Sequence, residues 1–138
     1  MTAAKKNLSS KVDSNFSFFN ETKTKIPRLV FLALKNAILG EKYELSVVIV
    51  GKSKMRELNK RWRNEDKPTD ILSFPLSKSE GEIYINPETA KKKAIEFDRP
   101  LDNFLLFLFI HGLVHLKGYD HGAIMESVET KFRKQFRI

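Results

Sequence analysis

Apolar positions along the 138-residue chain repeat with two periods, and each period marks out elements. Phe16 and Phe18 share one face by period two and Phe19 takes the other, which predicts a first strand over Asn15–Asn20. Ile26, Leu29, Val30, Ala33, Ala37 and Ile38 follow helical spacing, with Pro27 in the first turn and Gly40 at the end. Tyr43–Val50 is dense in β-branched residues and closes at Gly51, as a buried strand does. Ser53 is placed to cap the next helix, whose Met55, Leu58 and Trp62 recur at i, i+3 and i+7 and are assigned to the core. Asn64–Asp70 is crowded with charge and turn formers and reads as a loop.

The second half is read the same way. Ile71–Leu76 is a short strand carrying Pro75, a residue suited to a sheet edge or a strand end. Gly81–Asn86 is another strand, and Asn86-Pro87 then supplies a cap and a first-turn proline for a helix to about Phe97. The Lys91–Lys93 run on that helix is a solvated face. From Leu101 to Leu116 the chain is apolar nearly all round, so this helix is expected at the centre of the molecule. A last helix over Ala123–Phe136 carries Ile124, Val128 and Phe132 at i, i+4 spacing. Its final turns are basic, which suits the negative end of the helix dipole. Four strands and about five helices without a repeat or linker predict one compact α+β (α/β) domain over residues 1–138, a mixed sheet with a buried central helix. Residues 1–13 read as a loosely ordered polar start.

That central helix carries the candidate chemistry. All three histidines of the chain, His111, His115 and His121, lie in eleven residues at its end. His111 and His115 are four apart and share a helical face. Gly118 permits the chain to stop and reverse, so that His121 swings back toward them. Three imidazoles with a fourth position left for water are the donor set of a catalytic zinc site, one ion per chain. Composition narrows the setting. The absence of cysteine excludes disulfides and thiolate zinc sites and fits a reducing compartment. The longest apolar run, Phe104–Ile110, is too short to span a membrane, and Met1–Val12 lacks the apolar stretch of a secretory signal, so a cytoplasmic protein is expected. A net charge of +8, from 25 Lys+Arg against 17 Asp+Glu, favours a polyanionic partner such as nucleic acid.

The histidine spacing is similar to that of the metzincin zinc peptidases, with one departure: Gly112 stands where they carry the glutamate that takes the proton from zinc-bound water. The fuller stretch His111-Gly112-Leu113-Val114-His115-Leu116-Lys117-Gly118-Tyr119-Asp120-His121 resembles the signature of the YbeY family, with Val114 where many members have leucine. The block from Leu58-Asn59 through Trp62-Arg63 and Asp66-Lys67-Pro68-Thr69-Asp70 to Ser73-Phe74-Pro75 resembles a second family motif. Gly81-Glu82-Ile83-Tyr84-Ile85 resembles a third. Together they span roughly residues 45 to 121 in the family's order.

The resemblance implies a metal-dependent, single-strand-specific endoribonuclease that matures ribosomal RNA at the 3′ end of the 16S species and monitors ribosome quality. The ribosomal small subunit or its assembly factors are then the expected partners. It further implies that His111, His115 and His121 bind the metal, and that Arg63 serves catalysis. A guanidinium there suits two-point contact with a phosphodiester. Asp120, beside a ligand, is placed to orient an imidazole or to act as base; Asp70, Glu82 and a substrate 2′-hydroxyl are the other routes for the proton. Two rival readings are a non-enzymatic ribosome-assembly factor with a structural zinc and a zinc peptidase, the latter weakened by Gly112.

Overall fold

In the computed structural model, which describes residues 15–138, a four-stranded sheet carries helices on both faces. The expectation for residues 1–13 lies outside the described residues. In chain order the elements are β1 (Phe16–Asn20), α1 (Arg28–Leu39), β2 (Glu44–Ile49), α2 (Lys52–Arg63), β3 (Ile71–Ser77), β4 (Glu80–Ile85), α3 (Pro87–Glu96), α4 (Leu101–Leu116) and α5 (Ala123–Phe136). The spatial order of strands is β1-β2-β4-β3. β1, β2 and β4 run parallel, and β3 returns antiparallel to β4 at the edge, where Pro75 costs no ladder hydrogen bond on the open side.

Both faces of the sheet are covered, which explains why β2 and β4 are buried along nearly their whole length instead of alternating with solvent. Phe16, Leu45, Val47, Ile49, Ile83 and Ile85 point to one side and pack with α1, α3, α4 and α5. Val48, Val50, Leu72 and Tyr84 point to the other and pack with Met55 and Leu58 of α2. α4 occupies the middle of the larger layer, with nine of its residues buried, among them Phe104, Leu105, Phe109, Leu113 and Val114. A helix enclosed on that many sides holds its side chains in fixed directions.

Three details depart from the hydrophobic pattern. α1 turns Phe31, Leu34 and Ile38 inward, with Phe31 stacked on Phe109 at a centroid distance of 4.3 Å, while Leu29 is 74% exposed and Ala33 and Ala37 face solvent. The helix is apolar on two faces, and the large aromatic opposite α4 decides which one is buried. Trp62, assigned to the core by its spacing, is 57% exposed and leans on Phe74 of β3, 6.1 Å between centroids. It sits one turn beyond Leu58, where α2 runs past the sheet's edge strand. Helix starts also shift: Pro27 and Gly51, not an in-helix proline and Ser53, occupy the cap positions of α1 and α2. By contrast Asn86 caps α3 as expected, its Oδ1 accepting from the Glu88 N–H at 3.1 Å.

Candidate metal centre

α4 ends at Leu116, and Gly118 adopts a φ of 112°, a conformation that side-chain-bearing residues rarely take. The chain therefore reverses, and His121 returns to the face of α4 that carries His111 and His115. One nitrogen of each imidazole lies within 4.8 Å of the others. The Nε2 atoms of His115 and His121 are 3.2 Å apart. Bonds of about 2.0–2.1 Å arranged tetrahedrally about one ion require nitrogens roughly 3.3–3.4 Å apart; the His115–His121 pair meets that spacing, and the third imidazole is near enough to join them.

The electrostatics of the cluster favour the ligand form. Partial burial pushes the His115 pKa down, and the neighbouring His111 and His121 push it further in the same direction. A neutral imidazole has a lone pair to give; an imidazolium does not. His111 is fixed from the other side. Its Nδ1 lies 3.0 Å from Oε1 of Glu129, a buried carboxylate of α5 that also faces Arg133 at 3.9 Å. A carboxylate only accepts, so Nδ1 carries the hydrogen and Nε2 keeps its lone pair. The donors thus fit one transition-metal ion held by three imidazoles. Glu129 was not visible in the sequence as a site residue, because it reaches His111 only through the packing of α5 against α4.

Gly112 has a reason that the sequence did not disclose. A Cβ there would lie 2.8 Å from Oγ of Ser73, 3.0 Å from Ile71 and 3.1 Å from Ile83, all on β3 and β4. The glycine lets α4 settle directly on the sheet. Position 112 therefore faces the strands instead of the histidine cluster, and any side chain there would have to displace Ser73, Ile71 and Ile83.

The remaining expected residues lie on other parts of the fold. Arg63 is exposed at the last turn of α2, with Asn64 following in the left-handed region at φ 57°. It adjoins Trp62, which rests on Phe74 from one face of β3, while α4 meets the next residue, Ser73, from the other face. Among the described residues no hydrogen bond or ion pair joins Arg63 to a histidine. The loop after it is tied down at several points. Nδ2 of the buried Asn59 donates to the Lys67 carbonyl at 2.7 Å, and Arg56 pairs with Asp66 at 2.8 Å. That guanidinium holds the Asp66 carboxyl below its usual range. Asp70 is buried and meets Lys93 at 3.1 Å, so one lysine of the Lys91–Lys93 run has a partner. Glu82 is buried on the α2 face beside Tyr84, whose hydroxyl pKa is raised by burial and, after that, by this carboxylate, and is separated from the histidines by the sheet. Asp120 is exposed next to His121, and among the described residues it makes no side-chain hydrogen bond. The carboxylate within hydrogen-bond distance of an imidazole is Glu129, on His111.

Comparison with known proteins places this arrangement in a group. Residues 8–137 match the family model described as endoribonuclease YbeY. A protein of Aquifex aeolicus named endoribonuclease YbeY is 42% identical over 118 residues, covering 81% of this chain and 77% of that one. One of the same name from Francisella philomiragia is 36% identical over 133 residues, covering 85% and 84%. The solution structure of a Thermotoga maritima protein superposes with a TM-score of 0.63 at 29% identity, over 88% of this chain and 91% of that one.

Proposed function

The chain belongs to the YbeY endoribonuclease family, and we propose that it hydrolyses single-stranded RNA at a zinc ion held by His111, His115 and His121. The observation that carries this reading is the convergence of three imidazole nitrogens within 4.8 Å of one another. Zinc, when bound, supplies a Lewis acid and an acidified water at the fourth position. The protein's own part is positional. Glu129 holds the His111 proton on Nδ1 and presents Nε2, and burial together with the neighbouring imidazoles disfavours protonation of His115. α4, seated on the sheet through Gly112, fixes His111 and His115 against displacement.

Arg63 is assigned to the phosphodiester. It stands exposed at the end of α2 with a loop pinned behind it, and a guanidinium offers paired N–H donors to two phosphoryl oxygens and stabilises charge that grows during cleavage. Asp120, on the solvent side of His121, is assigned a supporting role toward that imidazole or toward the proton released in the reaction. The physiological substrate on this reading is ribosomal RNA, at the 3′ end of the 16S species, with a role in ribosome quality control in the cytoplasm and with the small subunit or its assembly factors as partners. No helix among the described residues is long and apolar enough to cross a membrane. A peptidase-type base at position 112 would press into β3 and β4 instead of facing the histidines, and a purely structural metal is at odds with histidines left half-exposed or exposed.

The test is direct. Zinc-loaded protein is incubated with a labelled single-stranded RNA and its duplex, with and without a chelator. Cleavage of the single strand alone, abolished by the chelator and restored by added zinc, is expected. Cleavage that survives complete removal of the metal would refute the reading.

A further inference from the structure

Against the histidines lies a half-open cavity of about 300 Å³ between α4, α5 and the end of α3. Ligand pockets run from about 300 to 1,000 Å³, so this one has room for a single ring system and not for a length of chain. His111 and His121 form one wall. Phe97, Phe107 and Met125 supply the apolar part of the lining, with Phe107 one turn before His111 on α4. Phe97 is 51% exposed, an unusual state for a phenylalanine, and its ring centroid is 5.6 Å from that of Phe107. The Arg133 guanidinium lies over Phe107 at 4.9 Å and adds a second planar surface. Aromatic rings and guanidinium planes are the surfaces on which unpaired RNA bases stack.

Charge decides which part of a nucleotide enters. The lining holds two carboxylates, Glu126 and Glu129, against one guanidinium, Arg133. Arg133 already faces Glu129, and Glu129 already holds His111. The zinc ion that the histidines would hold draws a phosphate to their side, while away from it the carboxylates outnumber the guanidinium and favour a neutral ring bearing N–H donors. Glu126 is the acceptor left over. It sits exposed in the first turn of α5, and among the described residues no side chain hydrogen-bonds to it. A carboxylate accepts at two adjacent oxygens and cannot donate. Of the four RNA bases only guanine places two N–H groups side by side, at N1 and N2. Adenine and cytosine set a ring acceptor next to their amino group, and uracil flanks its one N–H with two carbonyls.

We infer that this cavity receives a guanine base from a nucleotide adjoining the scissile phosphate, stacked on Phe97 and Arg133, with Glu126 accepting from N1–H and N2–H. The inference rests on the RNA-cleavage reading above and extends it to base specificity.

The experiment titrates the zinc-loaded protein with guanosine, adenosine, cytidine and uridine, following the Met125 methyl and Phe97 ring resonances. Guanosine is expected to shift both and to bind about tenfold more tightly than the other three, the discrimination a good bidentate contact gives. Glu126→Gln should remove about that tenfold advantage, and Phe97→Ala should weaken all four nucleosides together. Absence of any guanosine response, an equal response to all four, or an advantage unchanged in Glu126→Gln would overturn the assignment. Cleavage of a randomised single-stranded RNA by the same preparations separates this from the parent reading. Cutting with no base preference beside the cut keeps the nuclease and removes the guanine site. Guanosine binding at these resonances by a protein that cuts no RNA keeps the guanine site and removes the nuclease.

Discussion

The cluster of three histidines is only as good as the groups that hold each ring. His111 illustrates this: a buried carboxylate fixes its tautomer from a different helix. Glu129→Gln keeps the shape but replaces an obligate acceptor with a group that can also donate, so the tautomer is no longer enforced. Metal affinity is expected to fall about 10- to 100-fold, as partners of metal-bound histidines typically cost when changed, with little loss of fold. A competition titration with a chromophoric chelator measures it. His115→Ala, which removes a ligand outright, should leave the isolated protein with almost no metal by elemental analysis; full retention would refute the three-histidine site. Arg63→Ala should do the opposite. Metal content and unfolding temperature stay unchanged, while RNA cleavage drops by about tenfold or more, the cost of losing one charge-stabilising donor. Arg63→Lys restores charge but not the planar fork, and should recover only part of the rate.

At the scale of elements, the contact between α4 and the sheet sets the position of the whole centre. The space at Gly112 makes it sensitive: a Cβ would stand 2.8 Å from Ser73 Oγ. Gly112→Ala is therefore expected to destabilise the protein by about 1–3 kcal/mol, as overpacking does, in spite of alanine's better helix propensity. Chemical denaturation checks this, and Gly112→Ala combined with Ser73→Gly should recover part of the loss. Gly112→Glu, which recreates the peptidase letters, is expected to fold poorly before any effect on chemistry can be read. The same contact shows what sequence can and cannot deliver. The ligands were legible because they lie within eleven residues, and helical period plus one glycine reversal bring them together without reference to the rest of the chain. The helix bounds Leu101–Leu116 and Ala123–Phe136 were legible for a similar reason, since the apolar run and its flanking residues are local. The reason for Gly112, the role of Glu129 and the exposure of Trp62 all depend on which element packs against which. Periodicity gives α2 and α1 an apolar face, but it does not say where the partner ends.

The molecule as a whole carries a charge of +8, and its basic side chains are not concentrated in the cavity beside the histidines. Apart from Arg63, the cations Lys54, Lys60 and Arg61 are exposed along α2, and Lys131 and Lys134 on α5, so a strand crossing the molecule meets cations before it reaches the centre. Contacts of this kind with phosphates release counterions, and for a single strand the logarithm of affinity falls with the logarithm of salt at about 0.7 per phosphate neutralised. If the exposed cations engage about four phosphates, raising monovalent salt from about 50 to 200 mM weakens RNA binding roughly 50-fold. The partly buried histidine centre is screened far less than the surface. Salt should accordingly raise KM steeply and leave kcat nearly constant, provided the metal content is matched across the series. Steady-state kinetics on a labelled single-stranded RNA at four or five salt concentrations separates the two parameters. A kcat that falls in step with affinity would mean that the surface cations act in the chemical step itself, and the division between a gripping surface and a neutral-ligand centre would not hold.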